Sequence, residues 1–302
     1  MRKLEFLLGK ALRAGLPMVA TPGFAGSNHA LATAVYAHQL GLKSVSMLMP
    51  QVNARYVRRN LLASHHFKAE LRHYRNMTSL AAGILCLRCI QPRCDFIPGG
   101  GSSPLGIVGY VNAAFELRDQ IAAGAMPEPD LIYLAMGSMG TSSGLMLGLR
   151  AAGLRCRVIP IRVIGEDLAG AKGMLRLLRS AAALLHNADP TFPQLEFSGK
   201  DFAIRNDCLG PGYACFTEQA VSAARLLEEK TGIPANGTYT AKAFSAILAD
   251  AAAGALDNKV VLFWNTFNSR DMTSIAESVD YRQLPSAFHC FFEEDVQPLD
   301  RC

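Results

Sequence analysis

The chain has 302 residues, of which half are hydrophobic and 18% are charged, and its formal net charge is +5. This balance is typical of a globular protein with a large buried core and excludes an intrinsically disordered chain. Neither a block of Lys and Arg nor an apolar run of the roughly 20 residues that a membrane span needs is present, so the sequence predicts no nucleic-acid and no membrane partner.

The first part of the chain predicts βαβ units, because short apolar runs alternate with longer stretches of helical character. The predicted strands are LPMVAT and KSVSMLMP, and the predicted helices are GSNHALATAVYAHQLGL, NARYVRRNLLASHHF and YVNAAFELRDQIAAG. The glycine-rich stretch from Gly99 to Gly106 is the best candidate for a hinge. It divides the chain into two predicted domains, a smaller one at 1–105 and a larger one at 106–302.

The second part of the chain repeats this alternation. The predicted strands are DLIYLAMGS, RVIPIRVIG and NKVVLFWN, and the predicted helices lie in GTSSGLMLGLRAAG, from about Leu168 to His186, in FTEQAVSAARLLEEKTG and in TAKAFSAILADAAAG. Because strands and helices alternate throughout, the predicted fold class is α/β with parallel sheets.

The N-terminus MRKLEFLLGKALRAG carries charges where a signal peptide needs an unbroken apolar region, so the expected location is the cytoplasm. Eight cysteines are scattered over a chain that is too large to need disulfides, which indicates reduced thiols. Cys86, Cys89 and Cys94 form a CxxC pair with one further thiol, but a fourth zinc ligand at regular spacing is missing. The sequence therefore predicts no metal site.

The segment AMGSMGTSSGL, from Ala135 to Leu145, predicts a phosphate-binding turn between a strand and a helix. Gly137 and Gly140 let the backbone turn tightly, and the helix N-terminus offers unpaired N–H groups to an anion. Ser138 and Thr141 add hydroxyl donors. The alternative is a glycine-rich turn that only packs the helix against the strand.

The segment GFAGSNHA, from Gly23 to Ala30, also joins a predicted strand to a predicted helix. Ser27, Asn28 and His29 place three polar side chains at the helix N-terminus, where a carboxylate or phenolate oxygen is stabilised. The alternatives are N-capping by Ser27 or Asn28 and a structural histidine.

Two tyrosines in GPGYA and NGTYTAKAF, Tyr213 and Tyr239, are further candidates. A tyrosine can stack its ring, donate a hydrogen bond or move a proton when its pKa is tuned. The alternative is a half-buried aromatic side chain of the core.

Together these motifs resemble one family, the D-cysteine desulfhydrase and 1-aminocyclopropane-1-carboxylate deaminase group. GSNHALATAVYAHQLGLK is similar to its serine-asparagine-histidine segment, IPGGGSSPLGIVGYVNAAFEL to its glycine-rich segment and AMGSMGTSSGL to its phosphate loop. GPGYA, GTYTAKA and LFWNT are similar to its tyrosine motifs and closing threonine strand. The motifs keep the family's order over nearly the whole chain.

The resemblance implies the fold type II architecture of tryptophan synthase β, in which two doubly wound domains hold pyridoxal 5'-phosphate between them. It implies that Asn28 bonds the ring hydroxyl oxygen and that Ser27 lies near the carboxylate of a small amino-acid substrate. It also implies that Tyr213 and Tyr239 assist proton movement. The implied contacts of the cofactor phosphate are Gly137, Ser138, Met139, Gly140 and Thr141. The residues implied near the pyridine nitrogen are Thr240 and Thr266.

Thr240 favours the desulfhydrase branch of this family. The deaminases resemble one another in having a glutamate there, and a carboxylate holds the pyridine nitrogen protonated, which a threonine hydroxyl cannot do. A weaker electron sink suits elimination of a good leaving group such as a thiolate. The resemblance therefore implies α,β-elimination of D-cysteine or a related amino acid to pyruvate, ammonia and sulfide.

One departure from the family concerns its Schiff-base lysine. The family motif is Gly-Asn-Lys, then two residues, a second lysine and Leu-Glu, and here Lys3 aligns with the second lysine. Lys3 is therefore expected to contact the cofactor phosphate, while the Schiff-base position falls immediately before Met1. That amine usually takes the α-proton. We therefore expect an N-terminally truncated chain with inefficient turnover on its own.

Several alternatives stay open. A 1-aminocyclopropane-1-carboxylate deaminase is the nearest other enzyme, and a racemase or an ammonia-lyase on the same fold is another, because a fold does not fix a reaction. A non-catalytic protein that binds the cofactor or another phosphate ester is the alternative from a different class. Relatives are often dimers, so a homodimer is the expected assembly.

Overall fold

The computed structural model describes residues 2–268 and 270–301. These residues form two compact units. Unit 1 contains residues 3–101 and 270–301, and unit 2 contains residue 2 with residues 102–268. The expected division into domains 1–105 and 106–302 stays a prediction.

Unit 1 is built on a parallel sheet of four strands in the order β3-β2-β1-β4. The strands are β1 (Met18–Phe24), β2 (Lys43–Met49), β3 (Glu70–His73) and β4 (Cys94–Phe96). Its helices are α1 (Arg2–Arg13), α2 (Asn28–Gln39), α3 (Arg55–His66) and α4 (Met77–Ile90), followed near the end of the chain by α10 (Thr273–Glu277) and α11 (Cys290–Glu293). The two central strands supply most of the sheet's buried residues, as expected of a parallel sheet.

Unit 2 is built on a parallel sheet of three strands in the order β6-β5-β7. The strands are β5 (Leu131–Met136), β6 (Arg157–Arg162) and β7 (Val261–Phe263). The helices are α5 (Pro104–Ala122), α6 (Gly140–Ala151), α7 (Ala171–Ala188), α8 (Glu218–Thr231) and α9 (Thr240–Ala252). The prediction of an α/β fold with parallel sheets is confirmed. None of the described helices is both long and apolar enough to cross a lipid bilayer.

The structure differs from the sequence prediction at the start of α5. The prediction began this helix at Tyr110, but the helix begins at Pro104. The Ser103 hydroxyl accepts a hydrogen bond from the Gly106 backbone N–H, and Pro104 occupies the first turn, where its missing N–H costs nothing. The glycine-rich stretch is therefore partly helical. The Ser103 cap and Pro104 explain why the helix can begin within it.

Two glycines of α6 allow it to lie close to α5. A Cβ at Gly144 would lie 2.5 Å from the Tyr110 Cβ and 2.7 Å from the Ile107 carbonyl oxygen. A Cβ at Gly148 would lie 2.6 Å from the Ala114 Cβ. Because the two glycines are four residues apart, they share one face of the helix. This packing fixes the position of the α6 N-terminus.

Gly144→Ala is therefore expected to lower the free energy of unfolding by roughly 1–3 kcal/mol, because its methyl group has no space between the two helices. Gly9→Ala is the matched control, since a Cβ at Gly9 in α1 meets no atom within 4 Å. There, alanine is expected to stabilise the helix slightly. Urea unfolding of both variants measures the effect, and equal stabilities would contradict the packing argument.

Candidate functional site

Ser27 begins α2 directly after the carboxyl end of β1. Its hydroxyl accepts a hydrogen bond of 3.1 Å from the Ala30 backbone N–H, so the predicted N-cap is confirmed. A Cβ at Gly23 would lie 2.9 Å from the Ser27 Cβ and Oγ, which explains the glycine at that position. The half-buried hydroxyl can still donate its own hydrogen.

The turn between β1 and α2 is held by side chains that the sequence did not reveal. The Gly26 backbone N–H donates to Gln51 Oε1 at 2.8 Å, and Gln51 Nε2 donates to the Tyr56 hydroxyl at 2.7 Å. Asn60 Nδ2 donates to Asn28 Oδ1 at 2.9 Å. Asn28, the first residue of α2, is therefore held by a neighbouring helix as well as by its own.

Lys3 and His29 lie close together beside Gly101 in unit 1. A Cβ at Gly101, whose φ is +65°, would lie 3.0 Å from His29 Cε1 and 3.3 Å from the Lys3 Cβ. Burial, and then the charge of Lys3, lower the pKa of His29 to about 3, so its imidazole is neutral at physiological pH. Its Nε2 is buried and has no hydrogen-bond partner among the described residues. Burial also lowers the pKa of Lys3 to about 8.

The predicted phosphate turn joins β5 to α6 in unit 2. Met139 caps the helix in the left-handed region, with φ 64° and ψ −17°, which costs a non-glycine residue energy and is often seen at functional sites. The helix begins at Gly140, and its first N–H groups have no partner within the helix. Such N–H groups at a helix N-terminus are donors with favourable polarity for an anion.

The hydroxyl groups of this turn form hydrogen bonds with residues in α5 and just before it. Ser102 Oγ donates to Ser138 Oγ at 2.8 Å, and Thr141 is hydrogen-bonded to the hydroxyl of Tyr110. Tyr110 lies on α5, so the close packing of α5 on α6 also orients the turn. Neither Ser102 nor Tyr110 was predicted as part of the site, because only the fold brings them to it.

The two predicted tyrosines lie together in unit 2. Tyr213 Oη and Tyr239 Oη are 2.5 Å apart, and their rings meet edge to face with centroids 6.1 Å apart. A Cβ at Gly137 would lie 3.3 Å from Tyr239 Cε1, so Tyr239 borders the phosphate turn. Both rings are half-buried, and Tyr239 packs against a buried core cluster, so the alternative of a half-buried core aromatic also describes it.

Thr240 is the first residue of α9 and is only 1% exposed. Its Oγ1 accepts a hydrogen bond of 2.8 Å from the Asn236 backbone N–H, which leaves the hydroxyl hydrogen available as a donor. Thr266 follows β7 and is exposed. Since β7 pairs with β5, the chain from Phe263 onward leaves the same end of the sheet as the phosphate turn.

Lys242 is a buried cation that the sequence did not single out. It is completely buried, and its Nζ donates to the Leu209 carbonyl oxygen at 2.7 Å. Burial lowers its pKa. Leu209 lies four residues before Tyr213, so Lys242 ties the segment carrying Tyr213 to the helix that begins after Tyr239.

Each unit thus gathers a separate set of the predicted residues. Unit 1 contains Lys3, Ser27 and Asn28, and unit 2 contains the phosphate turn, both tyrosines, Thr240 and Thr266. Among residues 2–268 and 270–301, no three His, Cys, Asp or Glu side chains cluster in a way that could hold a metal ion. Within unit 2, the helix N-terminus suits binding of a phosphate, and the tyrosine pair suits proton transfer.

Comparison with known proteins identifies similar chains. A family model described as pyridoxal-phosphate dependent enzyme matches residues 1–266. Nocardicin C-9' epimerase of Nocardia uniformis subsp. tsuyamanensis is 31% identical over 301 residues, which cover 97% of this chain and 86% of that protein. D-cysteine desulfhydrase of Klebsiella pneumoniae (strain 342) is 32% identical over 257 residues, 82% of this chain and 75% of that protein. The crystal structure of an ACC deaminase homologue, 30% identical, aligns with a TM-score of 0.73 over 87% of this chain and 77% of the other.

Proposed function

The chain belongs to the family of pyridoxal-phosphate-dependent enzymes, and on this basis we propose that it is a lyase that eliminates the thiol group of D-cysteine. Its architecture is fold type II, that of the ACC deaminase homologue. The products would be pyruvate, ammonia and sulfide. The observation that carries the proposal is that an anion-binding helix N-terminus and a hydrogen-bonded tyrosine pair occur together in unit 2.

The phosphate turn fits the phosphate of pyridoxal 5'-phosphate. Gly137 and Gly140 have no side chain that would cover the backbone, and the α6 N-terminus presents N–H donors and the positive end of the helix dipole. Ser138, Met139 and Thr141 would complete the cradle with further donors. We assign Lys3 as an additional contact to the same phosphate, by the resemblance of its motif.

The resemblance of the motifs supports a partner for each polar group of the ring. Asn28 would donate to the ring hydroxyl oxygen, and Thr240 would donate its hydroxyl hydrogen to the pyridine nitrogen, with Thr266 nearby. A threonine cannot protonate that nitrogen, which supports elimination of a good leaving group over opening of a cyclopropane ring. When bound, pyridoxal phosphate supplies the electron sink that stabilises negative charge at the substrate Cα.

The side chains on the substrate side would bind the amino acid and move protons. The Ser27 hydroxyl would donate to the substrate carboxylate at the start of α2, where the helix dipole favours negative charge. Tyr213 and Tyr239 hold a hydrogen between two oxygens 2.5 Å apart. One of these hydroxyls would give its proton to the departing sulfur, and the other would replenish it.

The proposal is tested by supplying the purified chain with pyridoxal phosphate and measuring pyruvate and sulfide released from D-cysteine. A small primary amine is added in parallel reactions, because the chemistry of this family needs an amine that exchanges with the substrate. Release of both products supports the lyase. Production of 2-oxobutanoate from 1-aminocyclopropane-1-carboxylate would instead identify a deaminase. Cofactor binding with no product from either substrate would identify a non-catalytic binding protein.

An epimerase is a second candidate, because the match to nocardicin C-9' epimerase spans 97% of this chain, against 82% for the desulfhydrase. Both activities begin with removal of the proton from Cα. An epimerase returns a proton to the opposite face, whereas a lyase expels the leaving group. Assaying D-alanine, which has no leaving group, in deuterium oxide separates them. Inversion to L-alanine at a rate above that of pyruvate release from D-cysteine would favour the epimerase.

Lys3 predicts a pH dependence of phosphate-ester binding. Its protonated amine would attract the phosphate, and burial lowers its pKa to about 8 before the ligand binds. The bound phosphate would raise that pKa again, so affinity is full below pH 8 and declines as the pH rises above it. We expect the affinity for pyridoxine 5'-phosphate, which has no aldehyde, to fall roughly tenfold between pH 7 and pH 9.

The control for this pH effect is Lys3→Met, which removes the titrating amine and keeps a long side chain. This variant should bind more weakly at pH 7 and show a flat profile up to pH 9. Isothermal titration calorimetry in two buffers also measures the proton taken up on binding. A wild-type profile that stays flat would remove Lys3 from the phosphate site.

A further inference from the structure

Asn60 is a buried amide that lies beneath the turn carrying Asn28. It lies on α3 and is 1% exposed. Its Nδ2 donates two hydrogen bonds of 2.9 Å, one to the Gly26 carbonyl oxygen and one to Asn28 Oδ1. Both hydrogens of this nitrogen are therefore used within the turn between β1 and α2.

The Gly26 carbonyl sets the orientation of the Asn60 amide, and a longer contact with Arg59 agrees with it. The Gly26 carbonyl can only accept a hydrogen bond, so it faces Nδ2. The Arg59 guanidinium can only donate, and its Nη2 donates to Asn60 Oδ1 at 3.4 Å. Rotation of the amide by half a turn would set its oxygen against the Gly26 carbonyl and its nitrogen against a guanidinium.

The fixed amide of Asn60 in turn fixes that of Asn28. Since Asn28 Oδ1 accepts from Asn60, the oxygen of Asn28 points into the protein. The Nδ2 of Asn28 has no hydrogen-bond acceptor among residues 2–268 and 270–301. Asn28 can therefore offer a ligand the two N–H donors of Nδ2, while its Oδ1 is turned toward Asn60.

We propose that Asn60 is a positioning residue, which holds the Asn28 amide so that Nδ2 donates to the ring hydroxyl oxygen of the cofactor. This inference rests on the proposed function, which assigns that oxygen to Asn28. An ionised ring hydroxyl can only accept hydrogen bonds, so a rotated Asn28 amide would present oxygen to oxygen and repel it. Asn60 thus selects the donor orientation before the ligand arrives.

The helices that carry the two asparagines are packed together, which keeps this geometry constant. Leu31 and Val35 of α2 form a buried cluster with Ala63 of α3 and with Met272, just before α10. Since Asn60 lies less than one turn before Ala63, the same packing holds the Asn60 side chain against the turn.

The test compares two ligands without an aldehyde, pyridoxine 5'-phosphate and its 3-deoxy analogue, which lacks the ring hydroxyl. The wild type should bind the first roughly tenfold or more tightly than the second, the strength of a hydrogen bond to a charged acceptor. Asn60→Ser should bring this ratio close to one by weakening only the hydroxyl-bearing ligand. Asn28→Ala should do the same, and adding Asn60→Ser to it should cause no further change in the ratio.

The matched control is Asn53→Ser, also an asparagine beside α3. Asn53 Nδ2 donates to the carbonyl oxygens of Phe291 and Glu294 and not to Asn28. This variant should lower stability without changing the ligand ratio. If Asn60→Ser weakens both ligands equally or leaves the ratio unchanged, Asn60 is only structural and the inference is wrong.

A measurement on the wild type covers the case in which Asn60→Ser does not fold. In a ¹⁵N NMR spectrum, the side-chain amide signals of Asn28, assigned with Asn28→Ala, should shift strongly with pyridoxine 5'-phosphate and little with the 3-deoxy analogue. Equal shifts, or equal affinities of the wild type for both ligands, would overturn the inference while leaving the cofactor site intact. Binding of both ligands no tighter than inorganic phosphate would instead overturn the proposed function itself.

Discussion

Ser138→Asp is expected to weaken binding of pyridoxine 5'-phosphate by roughly 100-fold or more. Ser138 lies in the turn that would hold the phosphate, two residues before the first residue of α6. A carboxylate there would accept the backbone N–H groups that the ligand needs. It would also repel the phosphate, since two like charges about 4 Å apart interact by roughly 4 kcal/mol near a protein surface.

Ser138→Asn separates this charge effect from the loss of the serine hydroxyl and from side-chain size. Asparagine has nearly the shape of aspartate, and it breaks the same hydrogen bond to Ser102. We expect the asparagine variant to bind within about tenfold of the wild type, since a single neutral hydrogen bond contributes about 1 kcal/mol. Equal loss in both variants, measured by calorimetry, would place the phosphate away from this turn.

Tyr239→Phe is expected to lower kcat for pyruvate release from D-cysteine by roughly 10²–10⁴-fold, the usual contribution of a proton-transferring side chain. KM should change much less, because the phenylalanine keeps the ring beside the phosphate turn. Tyr213→Phe should have a similar effect. The double variant should be little worse than either single one, since the two hydroxyls share one hydrogen bond and act as a unit.

Tyr281→Phe is the control for this experiment. Tyr281 lies in unit 1, where its ring stacks on Phe292 at 4.9 Å between centroids, and it has no part in the proposed site. The kcat of the Tyr281→Phe variant should equal that of the wild type. Additive losses in the tyrosine double variant would show that Tyr213 and Tyr239 act in separate steps.

The alternation of apolar runs and helical stretches was sufficient to predict the parallel sheets, because both sheets bury their central strands on two faces. It was not sufficient for α4 (Met77–Ile90). This helix has apolar residues all round, and Met77, Leu85 and Ile90 are exposed while Leu80 and Leu87 are buried. No clear face repeats at the helical period, so the pattern could not indicate a surface helix.

The two turns of the proposed site were predictable as turns, because loops between strand and helix carry short motifs. The turn at Ser27 and the turn at Met139 were both found in this way. Asn60 and Lys242 were not, because each acts through a partner more than 30 residues away in the chain. Their type gave no signal, since an asparagine or lysine inside a helix is usually exposed. Only the folded chain shows that both are buried.

The same limit applies to the last part of the chain. Residues after Arg270 show little helical or strand periodicity, but they return to α3 and are held there by polar contacts. Arg58 Nε donates to the Phe291 carbonyl oxygen at 2.6 Å, and Asn53 Nδ2 donates to the same oxygen. Such bonds to backbone carbonyls leave no trace in the sequence of the segment that accepts them.

The return of residues 270–301 to unit 1 has a consequence for synthesis on the ribosome. Leu31 and Val35 emerge early, but Met272, which covers them, emerges only after the whole of unit 2 has been translated. Unit 2 is continuous apart from Arg2 and can begin to fold first, whereas Leu31 and Val35 stay without their Met272 contact until the end of the chain is made. Closing so long a loop is also slow. These apolar side chains of α2 and α3 are therefore the ones that a chaperone would cover during synthesis.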